Sequence, residues 1–184
     1  MTFTEMSTVE QMILDTLSGT ERKGALGEPR PVWGDEIALR PAGWEYVPAA
    51  QVPRPPDGVL VEPWLREALI RLNPAIADRP ARADEVIYKL RAVLLGVASD
   101  GLVRANEQFA AWLRGEKSLP FGPHGEHVPI HLIDYDDPGR NRCVVTNQWV
   151  YRFGPADVRF DVAGLVNGLP VVIGEAETAV RAAV

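Results

Sequence analysis

Arg159-Phe160-Asp161-Val162-Ala163-Gly164-Leu165-Val166-Asn167-Gly168-Leu169-Pro170-Val171-Val172-Ile173-Gly174-Glu175-Ala176-Glu177 is the stretch that decides the fold. It reads as a β-hairpin. Val162 to Val166 is a short apolar run, Asn167-Gly168 is a dipeptide that tolerates positive φ in a tight turn, and Val171 to Ile173 resumes the apolar pattern. Asp161 stands near the start of one strand and Glu175 and Glu177 near the end of the next, so the antiparallel return brings the acids to one end. Adjacent carboxylates repel unless a positive charge holds them. A hard divalent cation is the natural partner, because Mg²⁺ takes one or two carboxylates and keeps several waters, leaving room for a phosphate oxygen and an activated water. The constellation therefore points to phosphodiester hydrolysis, whereas any one of these acids alone reads as an ordinary solvated strand end.

The segments before the hairpin share its β character. Asn147 to Phe153 reads as a strand delivering the chain through a Gly154-Pro155 turn, and Arg142 to Val145 and Val128 to Ile133 read as further strands, separated by an Asp134 to Asn141 loop. Arg159, two residues before Asp161 on the same strand face, has three readings: a phosphate contact, a neutraliser of the acids or a surface salt bridge. His124, His127 and His131 lack the cysteine pair and regular spacing of a structural zinc site, and Asp134, Asp136 and Asp137 lack the spacing of an EF-hand loop.

Further upstream the pattern is helical. Glu62 to Leu72 has Pro63 in its first turn and stops at Asn73-Pro74; Pro80 to Val97 carries Val86, Leu90, Val93, Leu94 and Val97 on one face; Val103 to Leu113 is closed by Gly115. Residues 20–57 are dense in Pro and Gly, with room for a short strand around Glu45 to Val47 and with Trp33 and Trp44 as packing anchors or a partner surface. The first helix, Thr4 to Leu17, has Met6, Val9, Ile13 and Leu17 at one-face spacing and ends at Gly19. Glu10 adjoins that stripe instead of standing opposite it; taken alone it reads as an ordinary solvated helix glutamate.

With 184 residues, 46% hydrophobic and 24% charged, the chain has material for one domain with a core. A net charge of -6 argues against gripping nucleic acid over the whole surface, so any DNA contact is local. The lone Cys143, in an apolar run, implies a buried thiol and a reducing cytoplasm; no apolar stretch is long enough to span a bilayer, and membrane insertion is not expected.

Val9-Glu10, Leu69-Ile70-Arg71-Leu72-Asn73-Pro74, Asn106-Glu107-Gln108-Phe109, Leu132-Ile133-Asp134-Tyr135, Thr146-Asn147-Gln148 and Val166-Asn167-Gly168-Leu169-Pro170, followed by Glu175, occur in the order of a known family. In these motifs the chain resembles the N-terminal PD-(D/E)XK nuclease domain of the restriction (R) subunit of type I restriction-modification enzymes. The resemblance implies an α/β fold, a restriction-endonuclease-like mixed β-sheet flanked by helices, with a helical insertion between the first helix and the sheet. It implies one nuclease-like domain over residues 1–184, with an irregular segment at 20–57, a helical part at 62–115 and a strand-rich part at 128–177. It implies Mg²⁺ held by Asp161 and Glu175 with help from Glu10, double-stranded DNA as substrate contacted by Arg159, and modification and specificity subunits as partners. ATP would enter only through motor domains, and no phosphate-loop motif occurs in this chain. The family pattern has Lys where this chain has Glu177, and a carboxylate cannot act as the cation that steadies the attacking water. The family's domain continues with a helix and strand carrying a supporting Gln and Tyr, so the expectation is a fragment or truncated product. The alternative to a cleaving domain is an inactive DNA-contacting or docking module, or a remnant without function.

Overall fold

The computed structural model describes residues 5–19 and 43–175. Along these the chain runs α1 (Glu5–Ser18), β1 (Glu45–Tyr46), a 3₁₀ turn (Ala49–Gln51), α2 (Glu62–Leu72), α3 (Pro74–Ala77), α4 (Arg82–Leu95), α5 (Val97–Asp100), α6 (Leu102–Leu113), β2 (Ser118–Leu119), β3 (Val128–Pro129), a second 3₁₀ turn (Pro138–Arg140), β4 (Cys143–Phe153), β5 (Ala156–Val166) and β6 (Leu169–Gly174). This is the expected α/β arrangement of a mixed sheet with helices, consistent with a restriction-endonuclease-like fold, and five helices stand between β1 and β4. Contacts divide it into two compact units: residues 60–142 with the hairpin tip 166–169, and the remainder.

The unit carrying the sheet has strand order β1-β4-β5-β6. β1 lies parallel to β4, with Glu45 against Val144 and Tyr46 against Val145. β4 and β5 form a long hairpin closed at Gly154-Pro155, where the Arg152 guanidinium grips both carboxylate oxygens of Asp157 at 2.8 and 3.1 Å. α1 lies on this sheet because Leu14 buries against Val145 and Val162, with Ile13, Leu17, Trp44 and Tyr46 filling in. Gly164 is obligatory beneath Trp44, since a Cβ there would approach the indole to 2.9 Å. Arg54 straps the outer part of β4: its guanidinium donates to the carbonyls of Pro55, Pro56, Gly58 and Val150 and lies 3.6 Å over the Trp149 ring. Burial pulls its pKa down.

In the helical unit, α2 turns Trp64, Leu65, Ala68, Leu69 and Leu72 inward, and packs on α3 and α4. Pro63 opens α2 as expected, and Asn73 stops it with a dual role. Its side-chain amide donates to Leu69 O and His131 O, both at 2.9 Å, while its Oδ1 accepts from the His131 N–H at 2.8 Å. The buried face of α4 is Ala83, Val86, Ile87 and Leu90. The longer stripe expected through Val93, Leu94 and Val97 is only half-buried, because the helix stops at Gly96 and the chain kinks into α5.

The strand expected over Val128 to Ile133 is in fact the two-residue β3, paired antiparallel with β2. Pro129 has no N–H to extend the ladder, and the Asn73 side chain takes both backbone groups of His131 that a neighbouring strand would have used. Conversely, the separate strands expected at Arg142 to Val145 and Asn147 to Phe153 are one continuous β4. Cys143, expected to be buried, is half-buried, and desolvation pushes its thiol pKa up.

Candidate active site

The hairpin end that carries the acids is aligned by a shift in register. Asn167 and Gly168 have φ of 54° and 83°, both positive as a two-residue type I′ turn requires. Such a turn alone would set Asp161 opposite Gly174. Instead, a Cβ on Gly164 would lie 3.3 Å from the Val172 Cβ and one on Gly174 would lie 3.6 Å from the Val162 Cβ, so these are the facing pairs. These facing pairs leave one extra residue on the β6 side between the turn and Val172. Continued one step past the end of β6, this register would set Asp161 opposite Glu175.

The turn residues 166–169 belong to the helical unit and are hydrogen-bonded within it. Asn167 is fully buried, and its Nδ2 donates to Leu132 O at 2.9 Å and Asn141 Oδ1 at 2.8 Å. Its Oδ1 accepts from Arg142 N at 2.9 Å and Arg71 Nη2 at 3.0 Å. The Gly168 carbonyl accepts from the Val61 N–H at 2.9 Å, and a Cβ on Gly168 would come within 2.5 Å of Val61 O.

A second strand reaches the same level. Arg152 and Asp157 face each other beside the Gly154-Pro155 turn, and four residues further from that turn stand Gln148 on β4 and Asp161 on β5. Gln148 has φ of 52° inside a strand, a conformation that side-chain-bearing residues avoid. Its Nε2 donates to both carboxylate oxygens of Glu10, at 3.2 and 3.1 Å. Glu10 is 6% exposed, so the placement beside the apolar stripe of α1 does bury it. Two residues before Gln148, the fully buried Thr146 hydroxyl has no hydrogen-bond partner among the described residues. Glu10 on α1 and Gln148 on β4 are thus in direct contact, with Asp161 on the neighbouring strand β5 and Glu175 just past the end of β6.

Asp161 is half-buried and Glu175 exposed. Arg159 is exposed and pairs with none of the described carboxylates. Glu177 lies outside the described residues. Among the described residues no three His, Cys, Asp or Glu side chains converge closely enough to hold a metal ion together. The hard oxygen pair Asp161 and Glu175 nevertheless has the donor chemistry of a Mg²⁺ site, which needs only one or two carboxylates and completes its shell with water and phosphate oxygens. Gln148 was visible in the sequence only as part of Thr146-Asn147-Gln148; nothing local to it signals a left-handed backbone or a partner on α1.

The comparisons with known proteins agree with one another. Residues 36–184 match the family described as the type I restriction enzyme R protein N terminus. The chain is 30% identical over 154 residues to the type I restriction enzyme HindI endonuclease subunit of Haemophilus influenzae. That alignment covers 78% of this chain but 14% of the relative, so the chain corresponds to a small part of that protein. No solved structure matches the chain.

Proposed function

The chain belongs to the family of type I restriction enzyme R protein N termini, and from that membership we propose that it is the DNA-cleaving portion of an R subunit, hydrolysing phosphodiester bonds with Mg²⁺. The single observation that carries this reading is the register that, continued past β6, would set Asp161 opposite Glu175. These two carboxylates would hold the metal, with Glu10 supporting from α1. When bound, Mg²⁺ would supply charge stabilisation at the phosphate and a more acidic water. Arg159, exposed two residues before Asp161, would contact a backbone phosphate of double-stranded DNA. Glu177 stands where the family pattern has Lys and would leave the attacking water without its usual cationic support.

The relative's name describes a subunit, so modification and specificity subunits are the proposed partners; ATP would be used only by motor domains, whose phosphate-loop motif does not occur in this sequence. No helix among the described residues is long and apolar enough to cross a membrane. A cytoplasmic location is proposed on the lone cysteine.

The second reading, a module that docks or contacts DNA without cutting it, is favoured by Glu177 in place of Lys and by the lack of a three-carboxylate cluster among the described residues. Supercoiled plasmid incubated with Mg²⁺ or Mn²⁺ separates the two. Cleavage by the chain and its loss in Asp161→Ala support the nuclease reading. Cleavage by Glu177→Lys alone assigns the present chain to the second reading with an intact fold. No cleavage by any variant removes the nuclease reading for this chain.

A further inference from the structure

Gln148 is the place where the sheet gives up regular geometry. Asn167, the other described non-glycine residue with positive φ, occupies a turn, where its side chain is satisfied by four hydrogen bonds. Gln148 sits inside the 11-residue strand β4, where a left-handed φ serves no turn. Strain of this kind persists only when the surroundings impose it, and it concentrates at functional sites. The neighbouring Thr146 hydroxyl, buried without a partner, is a second local departure from a satisfied strand.

The distortion has a product. It presents the Gln148 amide to both oxygens of Glu10, a carboxylate 6% exposed whose only described partner is this neutral amide. A carboxylate withdrawn from water needs positive charge, and an amide supplies hydrogen bonds alone. The amide thus fixes the direction of Glu10 and leaves its charge available.

We infer that Gln148 is a positioning residue, whose left-handed backbone delivers its side-chain amide to orient Glu10 toward the water shell of a divalent cation bound by Asp161 and Glu175. This rests on the metal-dependent reading above. The role is that of a group behind a metal ligand, where removal commonly weakens metal affinity by about 10- to 100-fold.

The test is Mn²⁺ titration of the 184-residue chain by calorimetry, with thermal melting of each variant. Gln148→Gly is the informative substitution, because glycine accepts a φ of 52° without strain while removing the amide. The expected result is a melt that stays cooperative, with its midpoint lowered by no more than the lost Glu10 hydrogen bonds account for, and Mn²⁺ affinity weakened about tenfold. In a Glu10→Ala background the same substitution should change affinity no further. If Gln148→Gly binds Mn²⁺ as the parent does while Asp161→Ala does not, the metal site stands and the positioning role is overturned. If Gln148→Gly loses cooperative melting, the side chain serves the fold and the inference fails. If the parent itself binds no Mn²⁺, or Asp161→Ala binds equally, the metal-dependent reading fails and takes this role with it.

Discussion

Replacing Asn167 with Ala should be among the most damaging single changes in the helical unit. Asn167 is fully buried, and its side chain bridges Leu132 O, Asn141 Oδ1, Arg142 N and Arg71 Nη2. Alanine removes four bonds, each with a net contribution of about 1 kcal/mol, although Arg71 and Asn141 have other partners or water within reach. The Leu132 carbonyl, on a residue with no exposed surface, is left without its amide at a desolvation cost of about 1–3 kcal/mol. Alanine must also hold a φ of 54°, which costs a further ~1 kcal/mol relative to asparagine. The expected loss is roughly 3–5 kcal/mol, a large share of the ~5–15 kcal/mol by which domains are stable. Urea unfolding followed by tryptophan fluorescence measures it. Asn167→Gly separates the contributions, since it relieves the backbone but still removes the bonds. A loss below about 1 kcal/mol for Asn167→Ala would falsify the bridging account.

Three other perturbations address different parts of the molecule. Gly168→Ala adds a Cβ 2.5 Å from Val61 O at a φ of 83°, so the turn must lift from the start of α2, with a loss of at least about 2 kcal/mol in the same assay. Arg54→Lys keeps the charge but cannot fork to the Gly58 and Val150 carbonyls or stack on Trp149; a loss near 2 kcal/mol and altered Trp149 emission are expected, and a neutral result would refute the strap. The Asp134 carboxyl is held below its usual 3.8, first by the Asp137 N–H and then by the Arg140 charge and the Asp136 N–H, against desolvation. Its depressed value means the stabilising contribution is complete above 3.8 and lost as pH falls through the folded value, so an NMR titration of the Asp137 amide should show its midpoint below 3.8.

What the sequence made legible was whatever its local chemistry punctuates. Pro63 and Asn73-Pro74 mark both ends of α2, and Asn167-Gly168 marks the hairpin, because each acts on its own backbone. Glu10 was legible as a residue beside an apolar stripe. The truncated β3 was not, because its limit is set by Asn73 acting 58 residues away. The one-residue shift in register between β5 and β6 could not be read either, since counting from the turn would set Gly164 opposite Val171 instead of Val172. Gln148 lies 138 residues from Glu10, and only the folded sheet brings the pair together.

The parallel contact of β1 with β4 has a consequence for how the chain folds. β1 has two residues, and the Tyr46 hydroxyl bonds Asn147 at 2.8 Å across a separation of 101 residues. Closing a flexible loop of that length costs roughly 4 kcal/mol in chain entropy, more than a two-residue ladder returns. Once the intervening helices are compact, the effective loop is far shorter and the cost falls. Docking of β1 is therefore a late step, and α1, which packs on Tyr46 and Val145, waits on it. The helix that carries Glu10 is therefore the last part of the site to be assembled, while the hairpin bearing Asp161 is closed by local turns from the start.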